Sequence, residues 1–241
     1  MSRKGGGSRH RGNFGSYTFE NVEEFKYLGS IITSDNNEAR EVQARVKAAN
    51  RAYFSLIPIM KLRDVRRDTK ILLYKTLIRS VATYGCETWA VTQRSASVLD
   101  AFERKVLRRI YGPTQEDGMW RIRYNHELYW LYGAPKLSTY IGLMRLRWAG
   151  HVQRLDAGRM PRRVLETRFL GGRPRGRPRN RWEDGVTADA KALLQVNNWK
   201  RGRGSGRLEV QNSGGHGPPW AVVPSKKKGD CSQWNIFQWG Y

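Results

Sequence analysis

Arginine occupies every second position from Arg173 to Arg181 within Gly171–Trp182, GGRPRGRPRNRW. The interleaved glycines and prolines deny this segment a helix, so Arg173, Arg175, Arg177, Arg179 and Arg181 project from an extended backbone. No acid inside the stretch neutralises them. A guanidinium is planar, always charged, and matches phosphate oxygens in pairs, so the chemistry on offer is the capture of a polyphosphate. Pro174-Arg175-Gly176-Arg177-Pro178 also has the form of an AT-hook core. In such a core glycine permits close approach to a narrow A·T-rich minor groove, and the arginines meet its negative potential. Two readings stand: a groove-bound hook, and a solvated basic linker that touches phosphates only.

Further cations fall at helical spacing. Arg104, Lys105, Arg108 and Arg109 make one basic helix face, and Arg145 and Arg147 lie on a later helix. Such a face is either simply solvated or tracks the backbone of an A-form duplex read by shape. In Trp120-Arg121-Ile122-Arg123-Tyr124 the aromatics and arginines offer flat faces for unpaired bases. The competing reading, which the spacing favours, has Trp120 and Tyr124 anchoring a small core. His151 has no Cys or acid at ligand spacing and reads as an ordinary core or surface histidine. Cys86 reads as a buried thiol, Asp64 and Asp68 as capping and ion-pair residues, and Glu183-Asp184 as acids at a helix start. No phosphate-cradling loop or nucleophile–base pair occurs. No cofactor or metal is expected.

The balance of charge agrees with a polyanionic partner. Lysine and arginine number 44 against 21 acids among 241 residues, a net charge of +23. That field speaks to partners, not to fold, and predicts binding that weakens steeply with salt. Two distant cysteines, Cys86 and Cys231, exclude a disulfide scaffold and a cysteine-rich zinc knuckle. The first residues, MSRKGGGSRHRG, contain no apolar stretch, and no run approaches the ~18 apolar residues of a membrane span. The expected setting is intracellular, nucleus or cytoplasm. The expected partner is RNA and/or DNA, with no membrane.

Stepping along the chain, residues 1–16 read as disordered and basic. Phe25, Tyr27, Leu28, Ile31 and Ile32 around Gly29-Ser30 predict a short hairpin within 17–34. A helix should start at Asp35 or Asn36, bury Val42, Val46, Ala49, Tyr53, Leu56 and Met60, and end or kink at Pro58. A second helix fits 68–83 and a third 95–110 or 97–110, stopped by Gly112-Pro113. These three form a bundle over 35–111. Residues 112–199 read as a looser basic extension, with a long helix opened by Pro135 and a short one over 182–194. Residues 171–181 are its linker, and 200–241 read as a disordered tail. The fold class is mostly α.

Five motifs in order resemble the C-terminal third of the reverse transcriptase of non-LTR (LINE-type) retrotransposons. They are FKYLGSIIT (Phe25–Thr33), LLYKTLIRSVATYGCETW (Leu72–Trp89), FERKVLRRIYGP (Phe102–Pro113), RLRWAGHVQRL (Arg145–Leu155) and GRPRGRPRNRWEDGV (Gly172–Val186). The resemblance implies a primer-grip hairpin at FKYLG, a helical thumb over about 36–111, and then a basic extension that handles template RNA or target DNA. It departs from the family where chemistry is concerned. The family's polymerase turn carries an Asp-Asp pair that holds two metal ions, and no Asp-Asp pair occurs here. The expectation is therefore a noncatalytic, nucleic-acid-binding part or remnant. Two alternatives are an accessory part served by a reverse-transcriptase palm in trans, and a translated relic. The tail after Trp199 departs from the family's ending, as a reading-frame change near Lys200 would produce.

Overall fold

The computed structural model describes residues 11–14, 16–20, 22–167, 176 and 181–200, with residues 11–14 and Thr18 described by backbone alone. The chain is mostly helical, with two small antiparallel ribbons at its start. Strands β1 (Arg11–Phe14) and β2 (Tyr17–Glu20) form the first ribbon. Residues 11–14 were expected to be disordered and are instead paired in register with 17–20. The second ribbon is the predicted hairpin, β3 (Glu24–Tyr27) with β4 (Ser30–Thr33). Its two-residue turn needs positive φ at both positions, and Leu28 (φ +47°) and Gly29 (φ +83°) supply it.

Helix α1 (Glu38–Lys61) begins one or two residues later than the sequence suggests. Asn37 is the N-cap, its side-chain oxygen accepting the Ala39 N–H at 3.2 Å. Its buried stripe contains Val42, Ala49, Tyr53 and Met60, as the spacing predicts. Pro58 does not end the helix. The carbonyl that loses its hydrogen bond belongs to Phe54, which is exposed, so solvent can satisfy it. Glu41 faces back to the hairpin, taking the Ile31 N–H at 2.7 Å and pairing with Arg45 at 2.6 Å.

The predicted second helix is one rod in three parts: α2 (Arg67–Leu73), a wide π turn at Tyr74–Ile78, and α3 (Arg79–Ala82). Tyr74, Ile78 and Ala82 are fully buried. Gly85, at φ +71°, leads into a tight turn at Cys86–Thr88. Helix α4 (Gln93–Tyr111) is capped by Thr92, buries Leu99, Phe102, Val106 and Ile110, and stops at Gly112. Then comes an unpredicted ribbon, β5 (Thr114–Glu116) and β6 (Met119–Arg121), turning at Asp117-Gly118 with positive φ at both. Helices α5 (Asn125–Tyr132), α6 (Leu137–Arg154), α7 (Met160–Glu166) and α8 (Trp182–Leu194) complete the described chain.

The main core reaches past residue 111, because Leu128 and Tyr132 of α5 and Leu137 and Ile141 of α6 pack into it. A second cluster joins Leu146 and Ala149 of α6 to Val186 and Ala190 of α8, closed by Trp199.

Candidate nucleic-acid interface

Helix α4 divides its side chains by solvent. Its inner face carries the apolar stripe and Glu103, which is buried. Glu103 accepts the Tyr74 hydroxyl at 2.8 Å, the Leu137 N–H at 2.7 Å and the Tyr129 hydroxyl at 3.3 Å. Burial pushes the Glu103 carboxyl up to about 7, against the opposing pull of those hydrogen bonds. The outer face carries the four predicted cations. Lys105 and Arg109 are exposed, and Arg104 and Arg108 are half-buried.

The outer face lies between α1 and α5, and its partners are neutral. Lys105 donates to the Asn50 side chain at 2.9 Å, with its ammonium 5.3 Å from the Tyr53 ring centre and 4.8 Å from that of Phe54. Arg108 donates to the Asn125 side chain at 2.7 Å, and its Nε is buried without a partner. Arg104 hydrogen-bonds the Tyr129 hydroxyl. None of the four pairs with a carboxylate among the described residues. Arg40, Arg45, Arg121, Arg145 and Arg162 all do. The α4 face therefore holds uncompensated positive charge fixed at helical spacing, which is what a run of phosphates requires.

The other predicted cations are not gathered there. Arg145 is a correction: it is buried at 5 % exposure and points into the fold. Its guanidinium donates to Asp189 of α8 at 2.8 Å and to the Trp89 carbonyl at 2.7 Å. A guanidinium so enclosed has no free edge for a phosphate. The small residues beside it make its room. A Cβ on Gly185 would stand 3.0 Å from the Arg145 guanidinium, and one on Gly142 would stand 3.0 Å from the Asp189 carboxylate. Trp182 completes the joint by donating its indole N–H to the Glu87 carbonyl at 2.8 Å. Arg147 is half-buried on α6, near Tyr140. Arg181 is exposed at the start of α8, where its N–H is taken by Asp184 at 3.1 Å. Arg173, Arg175, Arg177 and Arg179 lie outside the described residues.

Trp120 and Tyr124 do not anchor a core. They are 71 % and 59 % exposed, and Met119, Ile122 and Trp130 are exposed beside them. The Asp117-Gly118 pair is a hairpin signal present in the sequence, and it breaks the helical spacing on which the core reading stood. Arg121 fastens the ribbon to α5 through a two-pronged pair with Glu127 at 2.6 and 2.9 Å, and it also pairs with Glu116. The Glu127 carboxyl is held down to about 2 by the Arg121 hydrogen bonds.

Cys86 is buried, and burial pushes its thiol up to about 12. His151 is exposed, its ring centre 5.3 Å from that of Trp148. Among the described residues no cluster of His, Cys, Asp and Glu side chains is placed to hold a metal ion. No helix among them is long and apolar enough to cross a membrane.

The chain is similar to a transposon-derived protein of Caenorhabditis elegans, at 26% identity over 170 residues. The match covers 69% of this chain and 60% of that protein's length. No family model and no solved structure matches the chain.

Proposed function

We propose that the chain is a noncatalytic, nucleic-acid-binding part of a retrotransposon-type reverse transcriptase, with its helical bundle in the place of the thumb. The observation that carries this reading is the outer face of α4: three cations held by neutral partners and Arg109 exposed beside them, none paired with a carboxylate among the described residues, while other arginines are engaged by acids. Similarity to a transposon-derived protein supports the lineage, and the five ordered motifs support the finer assignment. The mechanism is electrostatic: Arg104, Lys105, Arg108 and Arg109 neutralise phosphates and release condensed counterions. The arginines of 173–181 add to the same attraction. No Asp-Asp pair occurs in the sequence, and this reading accordingly expects no polymerisation by the chain.

Fluorescence anisotropy with a labelled duplex, repeated from low to moderate salt, tests this. Replacing the four α4 cations with glutamine should flatten the log–log salt slope by about 3 to 4, at ~0.9 per phosphate contact on B-DNA. An unchanged slope removes the α4 face from the interface. Incorporation of nucleotides by the purified chain with Mg²⁺ would overturn the noncatalytic assignment.

A second reading, a palm supplied by another polypeptide, is favoured by the outward face of the β3–β4 hairpin. Phe25, Tyr27 and Ile32 stand more than half exposed there, on a two-stranded ribbon too small to be stable alone. It predicts primer extension only when a palm-bearing chain is added.

A further inference from the structure

Helices α4 and α5 run side by side so that Arg108 meets Asn125 and Arg104 meets Tyr129. The residues that follow those two on α5 are His126 and Trp130, and both are exposed, Trp130 at 81 %. Each row therefore advances by one helical turn, about 6 Å for four residues. The result is two rungs, each with a guanidinium at one end and an aromatic face at the other. The first rung is thickened. Tyr124 stacks on His126 with ring centres 5.9 Å apart and planes 12° from parallel, and the Arg121 guanidinium lies 4.4 Å from the Tyr124 ring centre. Arg121 is itself fixed by Glu127, so the stack is pre-ordered.

We infer that this ladder is a binding site for two successive unpaired nucleotides, with phosphates on Arg104 and Arg108 and bases against Trp130 and the Tyr124–His126 stack. Aromatic faces take any base because every base has a π-face, and only an unpaired base can reach them. A duplex keeps its bases stacked inside and gains nothing from Trp130. An apolar protein surface would satisfy the tryptophan but would leave two guanidiniums facing it without acids. The inference rests on the nucleic-acid-binding reading above and adds to it the class of strand.

The experiment compares three labelled probes on the full chain: a 12-nucleotide oligothymidylate, the same backbone with abasic sites, and a 12-base-pair duplex. The intact chain should prefer the thymidylate to the abasic strand by tenfold or more. Trp130→Ala combined with Tyr124→Ala should weaken thymidylate binding by roughly thirtyfold or more, at one lost stack each. Duplex binding should move by less than twofold. Both side chains are exposed, so the variant's circular dichroism should match the parent's. Equal affinity for the abasic and the thymidylate strands overturns the ladder while leaving phosphate binding in place. So does an unchanged thymidylate affinity in the double variant. No binding of any probe overturns both readings.

Discussion

The joint between α6 and α8 turns on one buried ion pair, and its loss should be measurable. Arg145→Met removes the guanidinium and leaves two groups behind. The Asp189 carboxylate loses its cation, and the Trp89 carbonyl loses a donor at 2.7 Å. Breaking a buried pair by removing one partner costs about 3–5 kcal/mol. The Asp189 side chain keeps 20 % of its exposure, which allows some hydration and places the cost near about 3 kcal/mol. Asp189→Ala strands the more deeply buried Arg145 cation with only the Trp89 carbonyl for company and should also cost about 3 kcal/mol. The double variant strands no charge, so it should cost no more than Arg145→Met alone, a coupling of about 3 kcal/mol. The assay is hydrogen exchange across residues 182–194. At neutral pH Arg145→Met should speed exchange there about a hundredfold, since 1.4 kcal/mol is a factor of ten, while the buried α1 and α4 amides stay protected. Burial raises the Asp189 pKa and Arg145 opposes that rise. Without Arg145 the carboxylate takes a proton more readily, so the penalty is full at neutral pH and shrinks as pH falls through the aspartate's titration. Exchange in α8 within threefold of the parent, or strictly additive costs in the double variant, would refute the pair as the clamp.

Three more outcomes follow from the same geometry. Glu103 holds its proton up to about 7 in the folded chain but only to about 4.3 when unfolded, so its contribution to stability is present in acid and is lost as pH rises through 7. Urea midpoints should show a loss of about 2–3 kcal/mol between pH 5 and 8 in the parent and a much flatter profile in Glu103→Gln; parallel profiles would count against the assignment. Gly185→Ala should cost about 1–3 kcal/mol by pressing on Arg145, whereas Gly158→Ala, whose Cβ meets nothing within 4 Å, should be near neutral; equal effects in thermal melts would deny the close fit. In a Cys231→Ser chain at pH 8, Cys86 should resist a thiol reagent until denaturant is added, and full reaction within minutes in native buffer would contradict its burial.

Local signals gave most of the helices. The α4 stripe, the Gly112 stop and the acids opening α8 each follow from spacing, turn residues or the backbone dipole, and each appears where those rules put it. What escaped depends on partners far along the chain. Arg145 looked like part of a basic face because Arg147 lies two residues on, and its acid sits 44 residues later on α8. The π turn at Tyr74–Ile78 leaves no mark in a stripe that also fits an ordinary helix. The β5–β6 ribbon was legible from Asp117-Gly118, but Trp120 and Tyr124 at helical spacing suggested a different period. Helix α7 is seven residues long, too short for periodicity to register.

The positions of the ordered motifs in space separate what holds the chain together from what it can grip. Trp89 closes the second motif, Arg145 opens the fourth, and Trp182 and Gly185 sit in the fifth. All four meet at one joint, where Arg145 and Trp182 take the carbonyls of Trp89 and Glu87 and Gly185 makes the room. Much of the recognisable signature is thus a docking device between α6, α8 and the turn at Cys86–Thr88. Such a device needs no catalytic carboxylate. The third motif behaves differently. Its Glu103 faces the core, while Arg104, Lys105 and Arg108 face out on neutral partners and Arg109 is exposed beside them. Inward residues of that helix fix the bundle, and outward ones leave it with charge to satisfy. Loss of the Arg145 clamp should therefore free α8 and leave duplex binding by the α4 face nearly unchanged, and loss of the α4 cations should do the reverse.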